Sequence, residues 1–99
     1  MCYDDPVEVL LSKQLAKEIN KKNCSIPNNI LSKALRWVEM VKDIGLKEVK
    51  KIKAYRDHAL SGNRKGQRSV YLNMQWRLIY SYDNEQIIVT VEEITPHKY

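Results

Sequence analysis

Ninety-nine residues, 43% of them hydrophobic, suffice for one small core and argue against a disordered chain. Three glycines and three prolines leave no room for a linker or a repeat array, and no apolar run approaches the ~18 residues of a membrane span. The net charge of +5 turns attention to a polyanionic partner.

In chain order, Met1–Pro6 is acidic where a signal peptide would be basic. Cys2 and Cys24 lie far apart without metal-ligand spacing and read as free thiols in a reducing cytosol. A cytoplasmic protein with one domain spanning residues 1–99 is expected. Val7–Leu11 is a short apolar run that fits a strand. Ser12 can cap a following helix whose Leu15 and Ile19 fall at i and i+4. After the punctuation of Ser25–Asn29, a second helix carries Ile30, Ala34, Trp37 or Val38, Val41 and Ile44 on one face, with Gly45 as its cap. Leu46, Val49 and Ile52 suggest further helical turns.

Beyond residue 60 the period changes. Ser61–Gly66 is a polar loop bracketed by glycines, and Arg68–Leu72 alternates like a strand. Asn73–Gln75 suits a hairpin, Trp76–Tyr82 a second strand, Asp83–Glu85 a turn and Gln86–Ile94 a third strand. Helices first and a meander afterwards give an α+β fold, with the N-terminal strand and the helices packed on one face of a small antiparallel sheet. Parity places Trp76, Leu78, Tyr80 and Tyr82 on the core side with Val70 and Leu72. Arg77, Ile79, Ser81, Ser69 and Tyr71 then share the other face.

Charge is concentrated. Between Lys47 and Arg77 there are nine basic residues against Glu48 and Asp57, so this third of the chain carries +7 and the remainder −2. Such a stripe is the footprint of a polyanion. Lys50, Lys51 and Lys53 also suit an ordinary solvated helix face. Arg64, Arg68 and Arg77 recur through turn and strand, and guanidinium suits bidentate phosphate contact. The two histidines, His58 and His97, bracket this arginine-rich face. Each alone reads as a surface or capping residue; together they offer a base for a ribose 2′-hydroxyl and an acid for a departing 5′-oxygen. Imidazole titrates near ~6.5, which suits either task, and Arg77 would stabilise the charged phosphate. Other chemistries find less. Glu92 and Glu93 are adjacent on a strand and would point to opposite faces, and no cluster has metal-ligand spacing. No nucleophile elbow and no P-loop pattern is present.

The run from His58 to Ser69, then Gln75-Trp76-Arg77-Leu78-Ile79-Tyr80, then Val91-Glu92-Glu93-Ile94 with His97-Lys98-Tyr99, resembles the RelE/ParE superfamily of bacterial toxins, nearest its HigB-like members. The motifs cover roughly residues 55–99. The resemblance implies the toxin of a type II toxin–antitoxin system, a ribosome-dependent mRNA endonuclease without metal or other cofactor. Its partners would be a cognate antitoxin, the ribosome and mRNA, with operator DNA reached through the antitoxin and no membrane. By this resemblance His58, Arg77, His97 and Tyr99 are catalytic: a base, a ligand of the scissile phosphate, an acid at the leaving group and an aromatic stacked on the substrate base. Arg64, Lys65 and Arg68 match positions that grip the RNA backbone, and Lys53 is counted with them. Tyr71 departs from the pattern, since many relatives have an arginine there; it leaves one phosphate ligand missing or serves as a stacking platform. Two other readings stay open: a ParE-like inhibitor of DNA gyrase with the same fold, and a nucleic-acid-binding module without catalysis.

Overall fold

The computed structural model describes residues 8–83 and 88–96. Strand β1 (Glu8–Leu11) leads into helices α1 (Lys13–Asn20), α2 (Asn28–Ile44) and α3 (Leu46–Val49). Strands β2 (His58–Ala59), β3 (Gln67–Tyr71), β4 (Trp76–Asp83) and β5 (Ile88–Pro96) follow, with 3₁₀ turns at Lys53–Tyr55 and Gly62–Arg64 on either side of β2. The strands form one five-stranded sheet in the order β1-β5-β4-β3-β2. From β2 to β5 the neighbours are antiparallel, as the sequence suggests, but β1 joins the far edge parallel to β5. A parallel neighbour needs a long crossover, and everything between β1 and β5 supplies it.

Ser12 does two things for this arrangement. Its side-chain oxygen accepts the Leu15 N–H at 3.1 Å, capping α1, and its hydroxyl donates to the Glu92 carbonyl at 2.8 Å. Its own N–H bonds the Val91 carbonyl, so the start of α1 is tied to β5. In α2 the buried stripe is Ile30, Ala34, Trp37 and Val41. Trp37 rather than Val38 takes the central place, its ring 4.9 Å from that of Tyr80. Ile44, expected on the same stripe, is 44% exposed at the helix's last residue. Gly45 ends α2 at φ 88°, a conformation that costs a residue with a Cβ more.

The core lies between the helices and one sheet face, where Leu15, Ile30, Trp37 and Val49 pack with Val70, Leu78, Tyr80, Val89 and Val91. Each such side chain contributes about 1.5–3 kcal/mol by leaving water. Parity holds for Trp76, Leu78 and Tyr80. Tyr82, expected with them, is 39% exposed one residue from the end of β4. On the other face Ser69 and Ile79 pair directly and are both fully buried, so the middle of that face is closed over. A bulge interrupts β4 and β5: Ile79 pairs with Glu93 and Tyr80 with Val91, leaving Glu92 as the extra residue.

Candidate active site

The antiparallel register sets Tyr71 of β3 directly opposite Arg77 of β4 on the face away from the helices. The Arg77 guanidinium carbon lies 4.7 Å from the Tyr71 ring centroid. A second guanidinium, from Arg56, lies 4.6 Å from the same centroid. Arg77 is fixed from below by the hairpin, since its Nη1 donates to the Asn73 carbonyl at 2.6 Å and to the Trp76 carbonyl at 3.1 Å. Asn73 in turn shapes the hairpin by accepting the Gln75 and Trp76 N–H groups. Among the described residues, no carboxylate forms an ion pair with Arg56 or Arg77.

His58 opens β2, exposed and opposite Ser69. Its Nδ1 is 2.8 Å from the Arg56 carbonyl oxygen. A carbonyl can only accept, so Nδ1 carries the proton and the neutral ring keeps its lone pair on Nε2. That is the tautomer a base at Nε2 requires. Arg56 is, among the described residues, the one non-glycine at positive φ, 46° with ψ 43°. It closes the Lys53–Tyr55 turn in a left-handed conformation that costs roughly 1–2 kcal/mol for a side-chain-bearing residue.

Asp57, between these two, points the other way. Its side chain is 1% exposed and accepts from Arg68 Nε and from the Tyr80 hydroxyl, each at 2.5 Å. Burial and the bond to Asp57 push the Tyr80 phenol far above its ordinary value. Burial opposes the Arg68 charge, but Asp57 outweighs it and raises Arg68 further. The segment 56–58 is thus pinned in its middle while its two flanking side chains turn outward.

Not every residue singled out from the sequence reaches this face. Arg68 does not: by alternation it lies on the side of Val70, and it is engaged by Asp57. Arg64 bonds Glu93 at 2.7 Å and Gln67 at 3.1 Å, tying the Gly62–Arg64 turn to β5. Lys53 and Lys65 are exposed. His97 and Tyr99 lie outside the described residues. Glu92 and Glu93 do not simply alternate, because Glu92 is the bulged residue; it accepts from the Ser81 hydroxyl at 2.7 Å while Glu93 holds Arg64. Pattern does not single out Arg56 and Asp57. The available signal is charge: a lone acid next to the loop in a strongly basic stretch is well explained by a buried partner. Among the described residues no group of three His, Cys, Asp or Glu converges as a metal site, and no helix is long and apolar enough to cross a membrane.

A family model described as a bacterial toxin of type II toxin–antitoxin system, YafQ, matches residues 8–99. The fold is similar to the crystal structure of YafQ from E. coli, with a TM-score of 0.71 and 19% identity over 92% of this chain and 93% of that one. The E. coli DinJ-YafQ toxin–antitoxin complex matches with a TM-score of 0.69 and 20% identity, covering 93% of each chain. An archaeal RelE-RelB complex from Pyrococcus horikoshii matches at 0.66 and 18%, covering 92% of this chain and 94% of that one. No curated protein sequence matches.

Proposed function

Since the chain belongs to the YafQ family of bacterial toxins of type II toxin–antitoxin systems, we propose that it cleaves mRNA on the translating ribosome and is silenced by a cognate antitoxin. The observation that carries this reading is the convergence of His58, with a free Nε2, and two guanidiniums without carboxylate partners among the described residues on one sheet face. Such a set can run the transesterification that ribose chemistry allows. His58 Nε2 takes the 2′-hydroxyl proton as the 2′-oxygen attacks the adjacent phosphorus. Arg77 stabilises the charge that gathers on the non-bridging oxygens. The 5′-oxygen leaves and takes a proton, a task that falls to His97, with Tyr99 stacked on the neighbouring base.

A silencing protein partner is supported by the DinJ-YafQ and RelE-RelB complexes among the similar structures, and by exposed apolar residues on this chain. Leu10, Leu11 and Leu35 are 42%, 46% and 59% exposed. Inducing the protein in a bacterium and mapping transcript 5′ ends tests the reading. New ends within translated frames are expected; intact mRNA accompanied by DNA-damage signals overturns it in favour of gyrase inhibition.

A further inference from the structure

A phosphate in the act of transfer carries charge on two non-bridging oxygens, whereas one nitrogen of Arg77 is already occupied by the carbonyls of Asn73 and Trp76. A second cation is therefore wanted on this face, and position 71 supplies a tyrosine. We propose that Arg56 is that second phosphate-binding cation, and that Tyr71 is a positioning residue holding Arg56 and Arg77 to one anion. The proposal rests on the ribonuclease reading above.

Three observations carry it. Both guanidinium carbons lie within 4.7 Å of a single ring centroid. An ordinary surface stack explains one cation on an aromatic ring. Two like charges gathered at the same ring, with no carboxylate of the described residues paired to either, call for an anion to balance them. Second, Arg56 and His58 are one mechanical unit: the carbonyl of Arg56 sets the proton on His58 Nδ1, so cation and base are placed by the same corner of the chain. Third, that corner is built rather than loose. Its left-handed Arg56 is followed by Asp57, buried and doubly bonded to Arg68 and Tyr80. The cation that the motif assigns to Arg68 comes instead from the outward neighbour of the residue that Arg68 anchors.

The test uses Arg56→Asn, because asparagine accepts left-handed backbone readily, and Arg56→Lys, which keeps the charge. Thermal melting verifies that both fold. In single-turnover cleavage of mRNA on programmed ribosomes, Arg56→Asn should lose about 10²-fold and Arg56→Lys should recover part of it. Binding of a 2′-O-methyl RNA oligonucleotide, which cannot be cut, should show a salt slope smaller by about 0.7 in Arg56→Asn, because one phosphate is no longer neutralised. Tyr71→Leu should slow the parent strongly but add much less in the Arg56→Asn background. If Arg56→Asn cuts at the parental rate with an unchanged slope, Arg56 is no ligand, although the ribonuclease reading stands. Full additivity with Tyr71→Leu means that the ring meets RNA itself and sinks the positioning role. Should the parent fail to cut, the ribonuclease reading falls and the slope alone decides: a decrease supports Arg56 as a phosphate ligand, no decrease overturns it.

Discussion

Arg77 combines a structural and a chemical role, because one nitrogen closes the 73–76 hairpin while the guanidinium lies over Tyr71. Arg77→Ala should therefore lower single-turnover cleavage by about 10²–10³-fold and also cost about 0.5–1.5 kcal/mol for each hydrogen bond removed. Urea unfolding separates the two effects, and cleavage at the parental rate would show that the wrong face has been assigned. Tyr80 offers a test in pH. Its phenol is held neutral in the folded chain, by burial first and by Asp57 second, whereas in the unfolded chain it ionises near ~10. A folded value raised in this way contributes stability below pH ~10 that is lost as pH rises further, at about 1.4 kcal/mol per unit. Tyr80→Phe should lose about 1 kcal/mol at neutral pH, where Asp57 misses one donor, and should show a shallower decline above pH ~10. Parallel stability curves for the two proteins in alkali would contradict this. At this scale the sequence is only partly readable: Arg77 and His58 stand out by type and motif, but Asp57 and Arg56 acquire meaning only when β3 and β4 bring Arg68, Tyr80 and Tyr71 beside them.

Elements are easier to read than partners. Ser12 announces α1 by its place before Leu15 and Ile19, and the stripe through Trp37 announces α2, because a helix imposes its period locally. The cap can be measured. Ser12→Ala should cost about 1 kcal/mol for the missing cap and a similar amount for the unmet Glu92 carbonyl, seen as a lower urea midpoint at an unchanged m-value. A midpoint equal to the parent's would mean that α1 does not depend on its tether to β5. The bulge at Glu92 is not legible, since strict alternation is the only strand rule a single sequence offers. It changes the fate of two carboxylates, sending one to Ser81 and the other to Arg64.

Across the whole molecule, the +7 stretch between Lys47 and Arg77 survives folding only in part as free charge. Arg64 and Arg68 are engaged by Glu93 and Asp57, while Lys53, Lys65, Arg56 and Arg77 form no ion pair with a carboxylate of the described residues. The overall surplus nevertheless favours an acidic partner segment and steered encounter. The association rate of the cognate antitoxin should fall as salt rises, because exposed charges are screened beyond ~10 Å at 0.1 M. A rate indifferent to salt would leave exposed apolar residues such as Leu10, Leu11 and Leu35 as the main determinants of capture. The order of the elements, helices first and strands afterwards, foretells the fold class, and the meander order follows from short turns. The parallel place of β1 does not, because nothing in Val7–Leu11 names its neighbour.

That place has a kinetic consequence. Leu11 pairs with Val91, and Ser12 bonds Glu92 across 80 residues of chain. Strand β1 therefore waits for β5, and the sheet's far edge closes only once β5 is available. Contacts so distant in sequence lower the folding rate, because the ends of a long loop must meet before any gain is realised. A chain still being synthesised lacks both its β1–β5 seam and the hydrogen bonds that seat α1. The β1–β5 seam forms only after β5 has been made, a delay written into the order of the strands.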